Sequence, residues 1–208
     1  FHHALPRLAP LDSCLDEIER HSFAAAWLGH AGVLVRLGST TLLVDPALSD
    51  RIGLRLGGVT FGLRRLSAAP ASPERLPRAD LLLITHAHFD HLDKPTLRRL
   101  ANPRTVVVVP RGARRLIPRG FGEVIEAGAG ERLRFGDLEA QVARPAHWGA
   151  RYVLDRRRQF NSYYLESPAG RVFFAGDTAF TRAFSSLPEV DLAVFGIGAY
   201  DPWERMHA

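Results

Sequence analysis

The chain of 208 residues is poor in three residue types: one cysteine, one methionine and one lysine. A lone Cys14 cannot close an internal disulfide, so the fold does not require an oxidising compartment, and a cytoplasmic location is the expectation. Cys14 also lies far in sequence from every other chemistry-bearing residue, which removes a thiol-hydrolase reading. No uninterrupted apolar run approaches the roughly 20 residues that a membrane-spanning helix needs. Neither an internal repeat nor a low-complexity tract is present, which excludes solenoids and disordered tails. Because Lys94 is the sole lysine, the net charge of +5 and the pI near 10.1 rest almost wholly on arginine. Genome composition produces such a skew as easily as selection for an acidic partner, and the arginines are scattered. A dedicated nucleic-acid surface is therefore not expected, and the oligomeric state is not legible.

Hydrophobic residues at 46% and charged residues at 24% are ordinary for a globular chain, and the length suits one α/β domain with a sizeable core. Residues 1–23 read as an arm with a short helix, and residues 24–208 as the domain. His2 and His3 in the arm read as surface residues. The chain begins at Phe1 and stops at Ala208 with no closing strand in view, so the domain is expected to be incomplete at its C-terminal end.

Runs at 24–28, 32–37 and 40–45 predict an antiparallel opening, with Gly38-Ser39 as a tight turn and Asp45-Pro46 as the stop. Residues 47–78, rich in glycine, proline and arginine, predict a mobile loop that contacts substrate. Beyond the apolar run 81–84, helices are predicted at 96–101 and 111–116 on either side of a buried strand at 105–109. Shorter strands at 123–126, 132–135 and 138–144 are assigned to a second sheet, followed by a hairpin of 160–166 with 171–175 and a last strand at 191–195.

The chemistry concentrates in Thr85-His86-Ala87-His88-Phe89-Asp90-His91-Leu92-Asp93. Imidazole and carboxylate are ligands that zinc, iron and manganese accept, and a chain leaving a buried strand can aim several of them into one crevice. His86 and His88 are two apart and point the same way on an extended segment, so they can hold one ion, while Asp90 and His91 can hold a second. The expectation is a centre of two divalent metal ions, zinc first, with iron or manganese as alternatives. His30, after Gly29 at a strand end, is assigned a supporting role rather than ligation.

This pattern resembles the signature of the metallo-β-lactamase fold, a superfamily of mostly dinuclear metal hydrolases. Trp27-Leu28-Gly29-His30-Ala31, Val44-Asp45-Pro46, Pro145-Ala146-His147-Trp148, Gly176-Asp177-Thr178 and Ile197-Gly198-Ala199-Tyr200 are similar to one branch of it. That branch contains N-acyl-phosphatidylethanolamine-hydrolysing phospholipase D and the ascorbate-6-phosphate lactonases. The resemblance implies a four-layer αββα sandwich. It places His86, His88 and His147 on a first metal, Asp90 and His91 on a second, and Asp177 as a bridge. Asp45 would orient ligands by hydrogen bonds from beneath the loop. Arg151 and Asp155 match positions that line the approach to substrate, and Phe61-Gly62-Leu63-Arg64-Arg65 resembles a loop of the branch and reads equally as a solvated basic turn. His207 matches a histidine near the substrate pocket, and the last ligand of the second metal would lie beyond Ala208.

The activity implied is that of a hydrolase in which a metal-activated hydroxide is the nucleophile, Asp90 handles its proton, and the substrate is a small-molecule or lipid-like phosphodiester. Two alternatives stay open. One is a lactonase or carboxyl-ester hydrolase on the same centre, and the other is a metal- or nucleic-acid-binding module without turnover.

Overall fold

The computed structural model describes residues 12–65, 67–152, 155 and 158–197. Helix α1 (Asp12–Arg20) precedes the antiparallel meander β1 (Phe23–Gly29), β2 (Gly32–Leu37) and β3 (Thr40–Val44). A separate hairpin, β4 (Arg51–Leu56) and β5 (Val59–Arg64), leads to β6 (Leu81–Leu83), α2 (Lys94–Leu100), β7 (Val106–Pro110) and β8 (Glu123–Ala127). The chain then makes β9 (Arg132–Phe135), β10 (Leu138–Ala143), β11 (Ser162–Ser167), β12 (Gly170–Phe174) and β13 (Leu192–Val194). The strands form a six-stranded sheet in the order β1-β2-β3-β6-β7-β8 and a five-stranded sheet in the order β13-β12-β11-β10-β9.

Period-two alternation sets the layers, because successive side chains of a strand leave on opposite faces. Val33, Val35, Leu42, Val44, Leu81, Leu83 and Val108 point from the first sheet at Leu138, Ala140, Val142, Tyr163, Leu165 and Phe174 of the second. Their immediate neighbours Leu34, Leu43, Leu82, Val107 and Val109 point the other way, where Ile18 of α1 and Leu97 of α2 cover them. Strands buried on both faces must be apolar at every position, which is why β6 and β7 read as unbroken Leu and Val runs. On the outside of the second sheet, Tyr164, Phe173 and Ala175 are covered by Phe184, Leu187 and Val190. Among the described residues this fourth layer is an irregular segment, not a helix. The architecture is mixed α/β, with two facing sheets and helices outside the first.

Three local expectations are corrected. Residues 47–78 contain the β4–β5 hairpin, closed by Gly57-Gly58 with φ of 54° and 86°, the left-handed pair that a two-residue hairpin turn needs. No second α-helix forms at 111–116, only a 3-10 turn at Arg114–Leu116. Gly112 takes φ 85°, and Pro118 forces Ile117 into an extended conformation. Strand β8 belongs to the first sheet, parallel to β7, and not to the second. Its half-buried pattern fits either sheet, and only pairing across the intervening turn decides between them.

Strands β3, β6 and β7 are mutually parallel, so β3 and β6 release their C-terminal residues at one edge. In the second sheet β10 and β12 both run antiparallel to β11 and so also end together. Open α/β sheets present their chemistry at such carboxyl ends. Tyr163 Oη donates to Ile84 O at 2.8 Å, and Asn161 N donates to Thr85 O at 2.7 Å, which ties the end of β6 to the start of β11. Among the described residues, no helix is long and apolar enough to cross a membrane.

Candidate metal centre

The turn after β6 carries His86, His88, Asp90 and His91; the segment after β10 carries His147; the end of β12 carries Asp177. The fold brings all six together with His30, from the β1–β2 turn, in two adjoining groups: His86, His88, His147 and Asp177, and then His30, Asp90 and His91. In each group one ligand-type atom per residue lies within 4.8 Å of the others.

In the first group three ring nitrogens face one another. His86 Nε2 is 2.8 Å from His88 Nδ1, and His147 Nε2 is 3.3 Å and 3.4 Å from those two atoms. Thr85 Oγ1 donates to Asp45 Oδ2 at 2.5 Å, so its lone pair is left to accept from His86 Nδ1 at 3.0 Å. That places the ring hydrogen of His86 on Nδ1 and turns the lone pair of Nε2 towards the cluster. Burial lowers the pKa of His86 and His88, and takes that of His147 to about 4, aided by the neighbouring imidazoles. The three rings are therefore neutral at pH 7. A tetrahedral ion with nitrogens at about 2.0–2.1 Å needs them about 3.4 Å apart, close to the triangle found here.

The second group is electrostatically different. His91 is fully enclosed; burial alone would lower its pKa, but the charge of Asp45 and then Asp177 raise it to about 10. Its Nδ1 donates to Asp45 Oδ2 at 2.8 Å. Its Nε2 is buried without a hydrogen-bond partner, 3.3 Å from Asp177 Oδ1. A buried nitrogen with no partner, facing a carboxylate, is a position that a cation suits. Asp90 Oδ2 lies 2.7 Å from His30 Nε2. Burial would raise the Asp90 carboxyl, yet this hydrogen bond and the nearby imidazoles hold it well below the usual range. Asp177 lies between the groups, with Oδ1 towards His91 and Oδ2 3.9 Å from both His86 Nε2 and His147 Nε2.

Asp45 sits beneath the loop, buried, with φ 43°. Its Oδ1 accepts from Thr85 N at 2.8 Å, and its Oδ2 takes the Thr85 and His91 donors. Gly176 takes φ 63°, and a Cβ there would meet Thr85 Cβ at 2.9 Å, so only glycine lets the end of β12 come this close to the end of β6.

Arg151 does not extend into the crevice as a phosphate fork. It is buried, its Nη1 donates to Ala87 O at 2.9 Å and Leu92 O at 2.8 Å, and its guanidinium stacks 4.0 Å over Phe89. Asp155 likewise serves the local backbone, accepting from Arg151 N, Tyr152 N and Arg158 Nε. Arg151 braces the histidine loop from behind, and Asp155 holds the Arg151 segment that supplies it. His207 lies outside the described residues, as do His2, His3 and residues 198–200.

Sequence reasoning missed the direct contact of His30 with Asp90. Its signal was Gly29-His30 at a strand end, where φ of 83° and 52° bends the chain back over the site. The roles of Thr85 and of the Arg151 brace had no signal in spacing, since both depend on contacts between distant segments.

The family described as Beta-lactamase superfamily domain matches residues 40–208. N-acyl-phosphatidylethanolamine-hydrolyzing phospholipase D 1 of Caenorhabditis elegans is 32% identical over 197 residues, covering 86% of this chain and 54% of its own length. A UPF0173 metal-dependent hydrolase of Pyrobaculum calidifontis is 28% identical over 186 residues, covering 83% and 71% respectively. The crystal structure of CmlA, a diiron beta-hydroxylase from Streptomyces venezuelae, superposes with a TM-score of 0.55 at 28% identity, covering 83% of this chain and 34% of that one. The chain thus spans about half the length of the phospholipase relative.

Proposed function

Since the chain belongs to the beta-lactamase superfamily, we propose that it is a metal-dependent hydrolase with two divalent ions, zinc first and iron or manganese as alternatives, acting on phosphodiesters that carry apolar groups. The observation that carries this reading is the pair of adjoining groups joined by Asp177, one of neutral imidazoles and one charged. His86, His88 and His147 would hold the first ion, Asp90 and His91 the second, with Asp177 between them. His30, which shares a hydrogen bond with Asp90, is the remaining donor close enough to join the second group. The chemistry such ions supply is a water activated near neutral pH and compensation of negative charge building on a phosphoryl or acyl oxygen.

The chain's own residues do the rest. Asp90 stays ionised and accepts a hydrogen bond from the attacking water, orienting it, while His30 Nε2, 2.7 Å from Asp90 Oδ2, fixes that carboxylate in place. Asp45 and Thr85 hold the His91 and His86 rings in one orientation, and Arg151 fixes the loop carbonyls between them. Trp148, packed 4.8 Å from the His88 ring, is exposed beside the crevice and offers apolar surface to the substrate's tails. The name of the C. elegans relative supports a phospholipid-like diester.

A second reading, ester or lactone hydrolysis, is favoured by the Arg151 geometry, because that guanidinium is engaged by backbone carbonyls and not offered to a phosphate. The test is to reconstitute the protein with zinc, manganese or iron, count the ions, and assay a chromogenic phosphodiester beside a lactone. Diester turnover that depends on two ions per chain supports the proposal. Turnover of the lactone alone moves the assignment to the second reading, and bound metal without turnover of either substrate reduces the chain to a binding module.

A further inference from the structure

The β4–β5 hairpin forms a sheet of its own, and its register sorts its residues by chemistry. Cross-strand partners share a face. The pairs Ile52 with Leu63, Leu54 with Phe61 and Leu56 with Val59 make one face wholly apolar. The pairs Arg51 with Arg64 and Arg55 with Thr60, separated by Gly53 opposite Gly62, make the other face basic. The apolar face is not packed away: Leu56, Val59 and Phe61 are about 60% exposed and Leu63 is 84% exposed. An open face of this kind calls for a partner.

Between the arginines the two backbones approach closely: a Cβ on Gly62 would meet Ile52 O at 1.9 Å and one on Gly53 would meet Phe61 O at 2.1 Å, so only glycine fits this pair. Like charges directly opposite, as Arg51 and Arg64 are, are unfavourable unless anions come between them. Neither they nor Arg55 is paired with a carboxylate among the described residues; Arg51 gives one hydrogen bond, to Gly62 O.

We propose that this hairpin docks the protein on an anionic phospholipid surface, with its exposed apolar face in the interface and its arginines on the headgroup phosphates. A two-stranded hairpin is narrow, and both its edges are unpaired, so arginine stems on the upper face reach around the margins while the aliphatic groups enter the acyl boundary. A second copy of the chain suits the face less well. Strands of this length offer a footprint of roughly 200 Å², against about 800 Å² per partner in a stable interface. Nucleic acid suits it less still, because Phe61 is the only ring and the arginines lie on the opposite face.

The root of the hairpin is fixed next to the histidine loop. Ser49 N and Oγ donate to Asp93 Oδ2 at 3.2 Å and 2.5 Å, and Arg65 N donates to Asp50 O. A docked hairpin would hold the crevice beside the lipid surface, a consequence that rests on the proposed hydrolysis, whereas the docking itself does not.

The experiment is co-sedimentation of purified protein with vesicles of phosphatidylcholine alone and of phosphatidylcholine mixed with phosphatidylglycerol. Binding to the mixed vesicles, weakened by salt, is expected. The Phe61→Ser/Leu63→Ser variant should bind about tenfold less or worse, and Arg51→Gln/Arg55→Gln/Arg64→Gln should lose about fivefold per arginine. Circular dichroism checks that each variant is folded, and turnover of a soluble substrate should match the parent. Equal binding to neutral and anionic vesicles, no binding at all, or parent-like binding by either variant overturns the proposal. A dimer that Phe61→Ser/Leu63→Ser converts to a monomer in analytical ultracentrifugation overturns it too, by assigning the face to a second copy. Vesicle binding without turnover of any substrate would instead refute the proposed reaction and leave the docking standing.

Discussion

The two halves of the centre should take up metal with different proton bookkeeping. His86, His88 and His147 are held below their ordinary range by burial, so an ion entering among them at pH 7 displaces no proton from these rings. His91, pushed up to about 10 by Asp45 and Asp177 against the effect of burial, carries two protons at pH 7 and must give up the one on Nε2 before it can ligate. Bringing a group with a pKa near 10 to its neutral form at pH 7 costs on the order of 4 kcal/mol, or about 1000-fold in apparent affinity. The second ion should therefore bind about tenfold more tightly for each unit of pH between 6 and 8, while the first depends on pH much less. Calorimetric titration with zinc, in buffers of different ionisation enthalpy, counts the protons released. Any water bound to the ions also releases protons, so the comparison is with Asp45→Asn, which removes the charge that holds His91 protonated and should release about one proton fewer. Identical proton counts in the two proteins, or two ions with the same pH dependence, would refute the reasoning.

Asp177→Ala should lower metal stoichiometry and lower the metal-free melting temperature only modestly, because the carboxylate that helps hold the His91 charge is partly exposed; Asp45→Ala should cost much more stability. There a charged His91 loses its buried partner, at a cost of about 3–5 kcal/mol, and equal loss of metal with no difference in melting would contradict this division of roles. In the metal-free protein the contribution of His91 should be complete near pH 6.5 and be lost as the pH rises through about 10, since a raised pKa stabilises only while the proton is held, whereas the lowered His86, His88 and His147 make the fold lose stability on acidification below about 6.5; a melting temperature flat from pH 6.5 to 10 counts against the ion pair. Arg151→Met should weaken metal binding about tenfold or more by freeing the Ala87 and Leu92 carbonyls, read by competition with a chromogenic chelator, and unchanged affinity would mean that the brace does not position the loop. Gly176→Ala should cost at least about 1 kcal/mol through its positive φ alone, and more from the Thr85 contact, measured by denaturant unfolding.

Much of the fold was legible where one strand's own alternation decides it. The meander of β1 to β3 and the hairpin of β11 with β12 are local pairings closed by short turns, and their sequence runs mark them within a residue or two. Strand β8 was assigned to the wrong sheet because its half-buried pattern fits either one, and only its parallel pairing with β7 in the folded chain decides between them. The β4–β5 hairpin was hidden by its arginines, which made an alternating pattern look like a basic loop.

The sequence by itself determined the stock of ligand-type side chains, the strand-then-histidine order that puts four of them on one turn, and the family to which the chain belongs. Period and spacing are properties of one segment and need no partner. Only the tertiary structure decided that His147 and Asp177 reach the same crevice, that His30 meets Asp90, and that Arg151 turns to the loop backbone instead of the substrate. It also decided that His91 is charged while His86 is neutral. A pKa or a hydrogen bond depends on which remote groups exclude water or supply charge, and Asp45 reaches His91 only when β3 and β6 lie side by side in the folded sheet.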